Sequence, residues 1–354
     1  MGNCKSDINT TCIYPTTNYT ACPHDMFNFI ILVPIMMTII VLGCAGNTLA
    51  IIVLNRERKT TSIYLLQFLA VMDICFLISQ LFYYFFPNLY KYTGTFYNYN
   101  IFFHPSKRFI GYFMWIFKYA SSYIVLLMTV ERYIAVCHPM KAAELCTMKR
   151  VRICSAIVMV ASIIYNMPKI WYWKTESVFD NCKNESLTFS NETDLYADDQ
   201  NFRRFYVVGS YILLLYAIPL IVLLVLNALL IKSIIKANRR RAAFRHSEVS
   251  DNVTYKIVGV VTAFIILESP AMIPNALKVY IWKNEDQRVI DKEVLESLLY
   301  ASYTLFTINS FINFFLYCLV AKRFRQNLWS VLTCKKAVGK NMSVYATTSS
   351  IFRG

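Results

Sequence analysis

Charged side chains inside apolar segments are the residues of this chain that are most capable of chemistry. Glu268 ends an apolar run shortly before Pro270, and Lys118 and Asp73 each lie within other apolar runs. An isolated charge in the middle of a bilayer costs roughly 3 kcal/mol on insertion scales, so each needs a partner. The chemistry that these residues indicate is ion pairing or cation binding.

The composition of the chain places these charges in a membrane protein. The 354 residues are 56% hydrophobic and 16% charged, whereas about a quarter of the residues in a soluble domain are charged. About twenty consecutive apolar residues cross a bilayer as a helix. Seven such runs predict an all-α membrane protein, a seven-transmembrane helix bundle, with spans at 27–54, 63–86, 107–136, 151–173, 204–236, 253–282 and 294–319.

Lysine and arginine set the predicted orientation of the bundle. They cluster after the first, third, fifth and seventh spans, for example at Arg239, Arg240 and Arg241, and such clusters mark the cytosolic side. The N-terminus is therefore predicted to be extracellular in the plasma membrane. The net charge of +15 is explained by a cytosolic face near anionic lipid, and nucleic-acid binding is not expected.

The outer segments carry predicted modification sites. Four glycosylation sequons begin at Asn9, Asn18, Asn184 and Asn191, all on the predicted outer side. The expected division is a glycosylated N-terminus (1–26), the seven-span domain (27–319), an amphipathic cytoplasmic eighth helix (320–333) and a cytoplasmic tail (334–354). Cys334, after that helix, is a palmitoylation candidate, with an unmodified thiol as the alternative.

The sequence contains no motif of an enzyme. A Walker loop, a paired-glycine dinucleotide turn and an HExxH zinc motif are all absent, so neither catalysis nor an organic cofactor is expected. A seven-helix transporter or channel is one function that such a bundle could have, because buried charges are expected there.

A set of local motifs indicates the class of seven-helix protein. Glu131-Arg132-Tyr133 ends the third span and is followed by an Ile-Ala-Val-Cys-His-Pro block that ends at Pro139. Matching polar positions and prolines occur in order along the chain at Gly46, Asn47, Asp73, Pro219, Phe264, Pro270, Asn309, Ser310, Asn313 and Tyr317. The chain resembles rhodopsin-like (class A) G-protein-coupled receptors. Within them it is most similar to invertebrate neuropeptide receptors of the FMRFamide-receptor type, through residues 165–168, 218–220 and 309–314.

The resemblance implies a switch at the inner ends of the helices. Arg132 would pair with Glu131 at rest and contact a heterotrimeric G protein when active, Gi/o being our expectation; a snorkelling arginine is the alternative. Pro139 and Met140 would also contact the G protein. Residues that would change conformation on activation are Glu131, Arg132, Tyr133, Pro219, Phe264, Pro270, Asn313 and Tyr317. Phe314 replaces the usual proline of this switch, which predicts a weaker kink.

A buried polar cluster also matches the family. Asp73, Ser121, Asn309, Ser310 and Asn313 resemble its sodium-binding site. A plain hydrogen-bonded network is the alternative, and the Lys118 ammonium, one turn from Ser121, is another candidate for the cation.

The expected ligand is an extracellular peptide. Met114 stands where amine receptors have an aspartate, and Thr307 where opsins have a lysine. The second outer loop is rich in Asp and Glu, which favours the approach of a cationic peptide, although a solvated acidic loop would look the same. Residues expected to contact ligand are Tyr83, Met114, Trp115, Lys118, Glu268 and Trp282.

Lys118 and Glu268 are predicted to form a salt bridge. Lys118 lies about 21 Å from the level of Arg132 along the helix, and Glu268, which replaces an aromatic or glutamine residue of the family, lies at a similar depth. A protonated Glu268, or a Glu268 that meets a cationic group of the ligand, is the alternative.

The outer disulfide of the family cannot form in its usual place, because Lys107 replaces its third-span cysteine. We expect Cys182 to pair instead with Cys4, Cys12 or Cys22. Such departures also leave a decoy receptor with weak signalling as an alternative.

Overall fold

The computed structural model describes residues 23–93, 95, 97–180, 185–193, 199–244, 262, 265–271, 273–274, 277, 292–320 and 322–333. All structural statements refer to these residues. The predicted sites that lie outside them are Cys4, Asn9, Cys12, Asn18, Cys22, Cys182, Asn184, Phe264, Trp282, Cys334 and the tail 334–354.

The membrane spans agree with the apolar runs of the sequence. Within the described residues, five helices are long and apolar enough to cross a membrane, namely Met26–Leu54, Thr61–Thr93, Ile101–Cys137, Met148–Trp171 and Ile212–Ser233. The seventh predicted span forms the helix Lys292–Val320, and most of the sixth lies outside the described residues. The second and third helices extend beyond the predicted outer ends, because they continue through polar and aromatic sequence that an apolar run does not include.

Eleven helices are numbered here in chain order. α1 (Pro23–Ile30) and α2 (Met36–Leu54) form the first span, α3 (Thr61–Gln80) and α4 (Phe86–Thr93) the second, α5 (Tyr97–Cys137) the third, and α7 (Met148–Asn166) the fourth. α6 (Pro139–Leu145) lies between the third and fourth, α8 (Gln200–Phe202) and α9 (Ile218–Phe244) belong to the fifth, α10 (Lys292–Val320) is the seventh, and α11 (Lys322–Leu332) follows it as the predicted eighth helix.

Prolines explain most of the irregular turns within the spans. Wide π-helical turns occur at Ile31–Ile35, Leu81–Phe85, Arg203–Ser210 and Ile212–Ala217, and tight 3-10 turns at Met167–Trp171 and Ser269–Ala271. A proline removes a backbone hydrogen bond and clashes with the carbonyl four residues earlier. Pro34 lies inside the first wide turn, Pro87 and Pro219 follow two others closely, and Pro168 and Pro270 lie in the 3-10 turns. The helix backbone is thus altered at both predicted switch prolines, Pro219 and Pro270.

A β-hairpin lies between the fourth and fifth spans. β1 (Trp173–Asp180) pairs antiparallel with β2 (Glu185–Glu192), with Trp173 opposite Glu192. Both strands contact α5. The all-α prediction therefore holds for the membrane bundle and not for this loop, whose strands depend on packing against a distant helix.

A polar layer divides the core of the bundle into two apolar clusters. The outer cluster includes Phe76 and Leu77 of α3, Met114 of α5 and Phe306 of α10. The inner cluster includes α3 residues that precede Asp73, α5 residues that follow Ser121 and α10 residues that follow Asn313. Buried polar and charged residues lie between them on the same helices, at Asp73, Lys118, Ser121, Ser122, Asn309, Ser310 and Asn313.

The first and seventh spans approach closely at Gly46. An added Cβ at Gly46 would lie 3.0 Å from Cβ of Phe314, and the Phe314 ring also contacts Phe324 of α11 at a centroid distance of 6.0 Å. Phe314, which replaces the family's usual proline, thus fills the space that the glycine leaves open.

Gly46→Val is expected to destabilise the protein by forcing α2 away from α10. Overpacking a core of this kind costs about 1–3 kcal/mol, which should lower the thermal unfolding temperature of the purified protein. Ala45→Val, at an exposed neighbouring position, is the matched control. An equal effect of the two substitutions would contradict the packing argument. Phe314→Ala should partly restore the unfolding temperature of Gly46→Val, whereas it would not restore that of a protein with a general folding defect.

Candidate functional site

A cavity of about 430 Å³ lies at the outer ends of the helices and is lined mainly by aromatic rings. Trp115 of α5 contacts Tyr211 edge to face at a centroid distance of 5.2 Å and Tyr303 at 6.3 Å. Tyr84 contacts Tyr303 at 5.1 Å, and Tyr83 also lines the cavity. These rings come from four different spans, so their packing fixes the shape of the cavity.

Five charged residues join these rings in the wall of the cavity: Lys107, Arg108, Lys169, Glu192 and Glu296. Tyr172 donates a hydrogen bond to Glu192 Oε1. Burial, followed by the charge of Glu192, raises the pKa of Tyr172 well above its usual value, so the hydroxyl stays protonated and remains a donor at neutral pH.

Non-covalent contacts between described residues attach the β-hairpin to the third span. Nζ of Lys107 lies 3.3 Å from the centroid of the Trp173 ring, which is a cation–π contact. The Ser190 hydroxyl donates to the backbone carbonyl of His104 at 3.0 Å and lies 3.0 Å from its Nδ1. Lys107, at the position where the family has a cysteine, therefore still joins α5 to the outer loop, by a non-covalent contact.

The predicted ion pair between the third and sixth spans is confirmed. Nζ of Lys118 contacts Oε1 of Glu268, and both side chains are only 2% exposed. Asn309 donates to the same oxygen at 3.0 Å. The ammonium also lies 4.3 Å from the centroid of the Phe306 ring. Each buried charge has its counter-charge, which removes most of the cost of placing it in the membrane.

The pair lies behind the cavity wall. Lys118, Glu268 and Met114 were predicted as ligand contacts, but they do not line the cavity, whereas Tyr83 and Trp115 do. The reason is packing: Trp115 contacts Tyr211 and Tyr303, and these rings line the cavity at this level. Met114 belongs to the outer apolar cluster.

Asp73 is the centre of the predicted sodium cluster. Ser121 donates to Oδ1 of Asp73 at 2.8 Å and Asn313 donates to Oδ2 at 2.7 Å, whereas Asn309 donates to Glu268 instead. The backbone carbonyl of Ser310 accepts from Asn47 at 2.8 Å. Both carboxylate oxygens therefore have donors, and Lys118 supplies a favourable positive charge nearby.

The inner end of α5 carries Arg132 and Glu131 as a pair, with Nε of Arg132 3.3 Å from Oε2 of Glu131. Glu131 also accepts from the hydroxyls of Thr61, at 2.6 Å, and Ser62, at 3.0 Å to each oxygen. These contacts hold the Glu131 carboxylate against the second span. The Arg132–Glu131 contact is the pairing that the resemblance implied.

Other predicted inner residues are placed as follows. Met140 of α6 is 89% exposed, so it is available to a partner at this end of the bundle, and Pro139 is the first residue of that helix. Tyr133 stacks edge to face on His138 at 5.6 Å. Tyr317 is buried, and its hydroxyl has no hydrogen-bond partner among the described residues.

Three features of the site were not predicted from the sequence. These are the position of Lys169 in the cavity wall, the stacking of Lys107 on Trp173, and the hydrogen bond from Asn309 to Glu268. Lys169 follows Pro168 at the outer end of the fourth span, where a snorkelling lysine is ordinary. A basic residue that follows a proline and lies near many aromatic residues is the only signal that the sequence offered.

Along α5, an aromatic cavity lies at one end, a buried ion pair in the middle and a paired arginine at the other. This arrangement is that of a seven-span receptor. Residues 46–317 match the 7 transmembrane receptor (rhodopsin family). This match covers most of the chain, so the chain belongs to that family of receptors, which are multi-pass proteins of the plasma membrane and not enzymes.

Relatives from this family are named for peptides. The chain is 29% identical over 325 residues to the FMRFamide receptor of Drosophila melanogaster, covering 88% of this chain and 57% of that receptor. It is 24% identical to the Sex peptide receptor of Drosophila melanogaster, over 100% of this chain and 82% of the relative. The Somatostatin receptor type 5 of Rattus norvegicus is 24% identical, over 87% of this chain and 80% of that receptor. The chain thus spans less than two thirds of the first relative.

Glu268→Gln and Lys118→Met are each expected to lower the folded amount and unfolding temperature of the receptor. Each leaves a buried charge without its partner, which typically costs about 3–5 kcal/mol. The double variant should lose less than the sum of the single losses, as measured by thermal unfolding of purified protein.

Arg150→Ala and Glu144→Ala form the control cycle. That pair is exposed, with 3.9 Å between Nη2 and Oε1, and exposed pairs contribute about 0–1 kcal/mol. Additive losses at Lys118 and Glu268, as at the control pair, would show that the buried charges are not coupled.

Proposed function

We propose that this chain is a cell-surface receptor with an extracellular N-terminus that binds a peptide in its outer cavity and activates a heterotrimeric G protein at its inner end. The observation that carries the proposal is the continuity of α5. One helix lines the cavity with Trp115, holds Lys118 in the buried pair and ends near Arg132.

A peptide is supported by the chemistry of the cavity wall. Aromatic rings such as Trp115 and Tyr303 suit phenylalanine side chains and cations, and Glu296 offers a carboxylate to a basic group. The names of the relatives point the same way, since the Drosophila FMRFamide receptor is named for an amidated peptide. An amidated peptide with an aromatic and a basic residue is therefore the proposed ligand class.

Activation is proposed to use the two ion pairs. The Lys118–Glu268 pair holds the third and sixth spans together at rest, and ligand above it weakens that contact. Arg132 then leaves Glu131 and contacts the G protein, with Pro139 and Met140 beside it. We assign Gi/o as the class of G protein for the first test.

Nucleotide exchange on purified G proteins tests this proposal. FMRFamide and other amidated peptides, added to purified receptor in lipid discs, are expected to accelerate exchange on Gi/o more than on Gq. Arg132→Ala should abolish the acceleration without loss of folded receptor, because the arginine contacts the G protein, whereas Arg150→Ala should not. Lys118→Met should raise exchange without peptide, relative to the amount of folded receptor.

A transporter would give a different result, because no peptide would then stimulate nucleotide exchange and Arg132→Ala would leave exchange unchanged. A decoy receptor would bind peptide with exchange unchanged. Unaltered ligand-free exchange in Lys118→Met would reject the latch while leaving peptide recognition intact.

We also propose that Lys118 takes the place of sodium beside Asp73. The unfolding temperature of the wild type should then be the same in about 0.15 M sodium chloride as in N-methylglucamine chloride at equal ionic strength. Lys118→Met removes the ammonium and should make the unfolding temperature rise with sodium. A wild-type receptor that is itself stabilised by sodium would contradict this assignment.

A further inference from the structure

Lys169 is a buried cation in the wall of the outer cavity that the proposed mechanism does not use. It lies in the 3-10 turn Met167–Trp171, which follows the fourth span. Because Pro168 begins this turn, the chain leaves the helix axis there, and Lys169 joins the lining of the cavity.

Aromatic rings surround the Lys169 ammonium. Its Nζ lies 4.0 Å from the centroid of the Trp115 ring, 5.3 Å from that of Tyr119 and 5.7 Å from that of Tyr211. The Nζ atom is buried and has no hydrogen-bond acceptor among the described residues. Lys118 differs in this respect, because its buried ammonium meets Glu268.

A buried ammonium without an acceptor is costly. Burying a charge is tolerated when the charge is paired and hydrogen bonded, and cation–π contacts replace only part of the lost hydration. Three rings fix the position of the ammonium while none of them accepts a conventional hydrogen bond. Among the described residues, the site therefore holds the ammonium between rings and supplies no anion to it.

The other charges of the cavity also leave an anion to be supplied from outside. Among its lining residues, three cations, Lys107, Arg108 and Lys169, face two carboxylates, Glu192 and Glu296. Glu192 already accepts a hydrogen bond from Tyr172 and interacts with Lys107, and no contact joins either carboxylate to Lys169. An excess of one positive charge remains in the wall.

We propose that Lys169 is a specificity-determining residue that binds an anionic group of the ligand, either a carboxylate or a sulfate ester. This inference rests on the proposed function, because it assigns one part of the bound peptide to Lys169. A peptide with both charges would place its basic group near Glu296 and its anionic group between the rings at Lys169.

Small fragments test the subsite without the natural peptide. N-acetyl-phenylalanine carries a free carboxylate alone and N-acetyl-tyrosinamide O-sulfate a sulfate ester alone, and N-acetyl-phenylalaninamide and N-acetyl-tyrosinamide are neutral counterparts. At millimolar concentration, an anion that binds only the folded state should raise the unfolding temperature of the purified receptor by about 2 °C or more. The neutral amides should give no comparable shift. The anion that raises the unfolding temperature more identifies whether the subsite binds a carboxylate or a sulfate ester.

Three variants locate the effect. Lys169→Met should abolish the anion-dependent shift and should itself unfold at the same or a higher temperature, because it removes an unpaired buried charge. Lys169→Arg should retain the shift. Lys174→Met, at an exposed lysine of β1 that pairs with Glu176 at 3.2 Å, is the matched control and should behave as the wild type.

The outcomes separate this inference from the proposed function. The subsite would be overturned if anions and amides gave equal shifts in unfolding temperature. It would also be overturned if the anion shift persisted in Lys169→Met, in which case Lys107 or Arg108 would hold the anion. If the anion shift depends on Lys169 but no peptide stimulates nucleotide exchange, the subsite stands and the proposed receptor activity fails.

Discussion

The buried contact between Lys118 and Glu268 is the constraint on which the rest of the bundle depends. Two charges at 2% exposure are tolerated in a membrane core only if they meet, since removal of either partner leaves a charge that the surroundings cannot solvate. That requirement fixes the rotation of α5 about its axis and the position of residues 265–268. It also fixes Asn309 of α10, which donates to the same carboxylate oxygen.

The polar layer around this pair separates two apolar clusters that need not move together. Side chains of the outer cluster form part of the cavity wall, and those of the inner cluster support the region around Glu131 and Arg132. Apolar packing within each cluster is dense and resists small displacements. Hydrogen bonds and ion pairs between the clusters have alternative partners, as Asp73 and Glu268 do in sharing Lys118 as a nearby cation. Rearrangement of the layer is therefore less costly than repacking either cluster.

The sequence predicted the features that are set by large energies and local patterns. A charge within a membrane span costs several kcal/mol, so the Lys118–Glu268 pair was identifiable, and apolar runs and the Glu131-Arg132-Tyr133 motif located the described spans. The β-hairpin, the stacking of Lys107 on Trp173 and the rings around Lys169 were not identifiable. These features depend on contacts between distant segments, each contributing a fraction of a kcal/mol to about two. No local pattern predicts that Trp115, Tyr119 and Tyr211 all contact the Lys169 ammonium.

Trp115 and Tyr211 lie near both Lys169 and the Lys118–Glu268 pair. Trp115 contacts the Lys169 ammonium and lies about one helical turn from Lys118 on α5, and Tyr211 contacts Lys169 while it interacts electrostatically with Glu268. Spatial continuity alone does not establish coupling, which requires an element with two arrangements that both sites bias. In the proposed mechanism the Lys118–Glu268 pair is such an element, because activation would break it. Under the two proposals, a group bound at Lys169 would act on that equilibrium only by displacing Trp115 or Tyr211, so these two rings would link ligand recognition to activation.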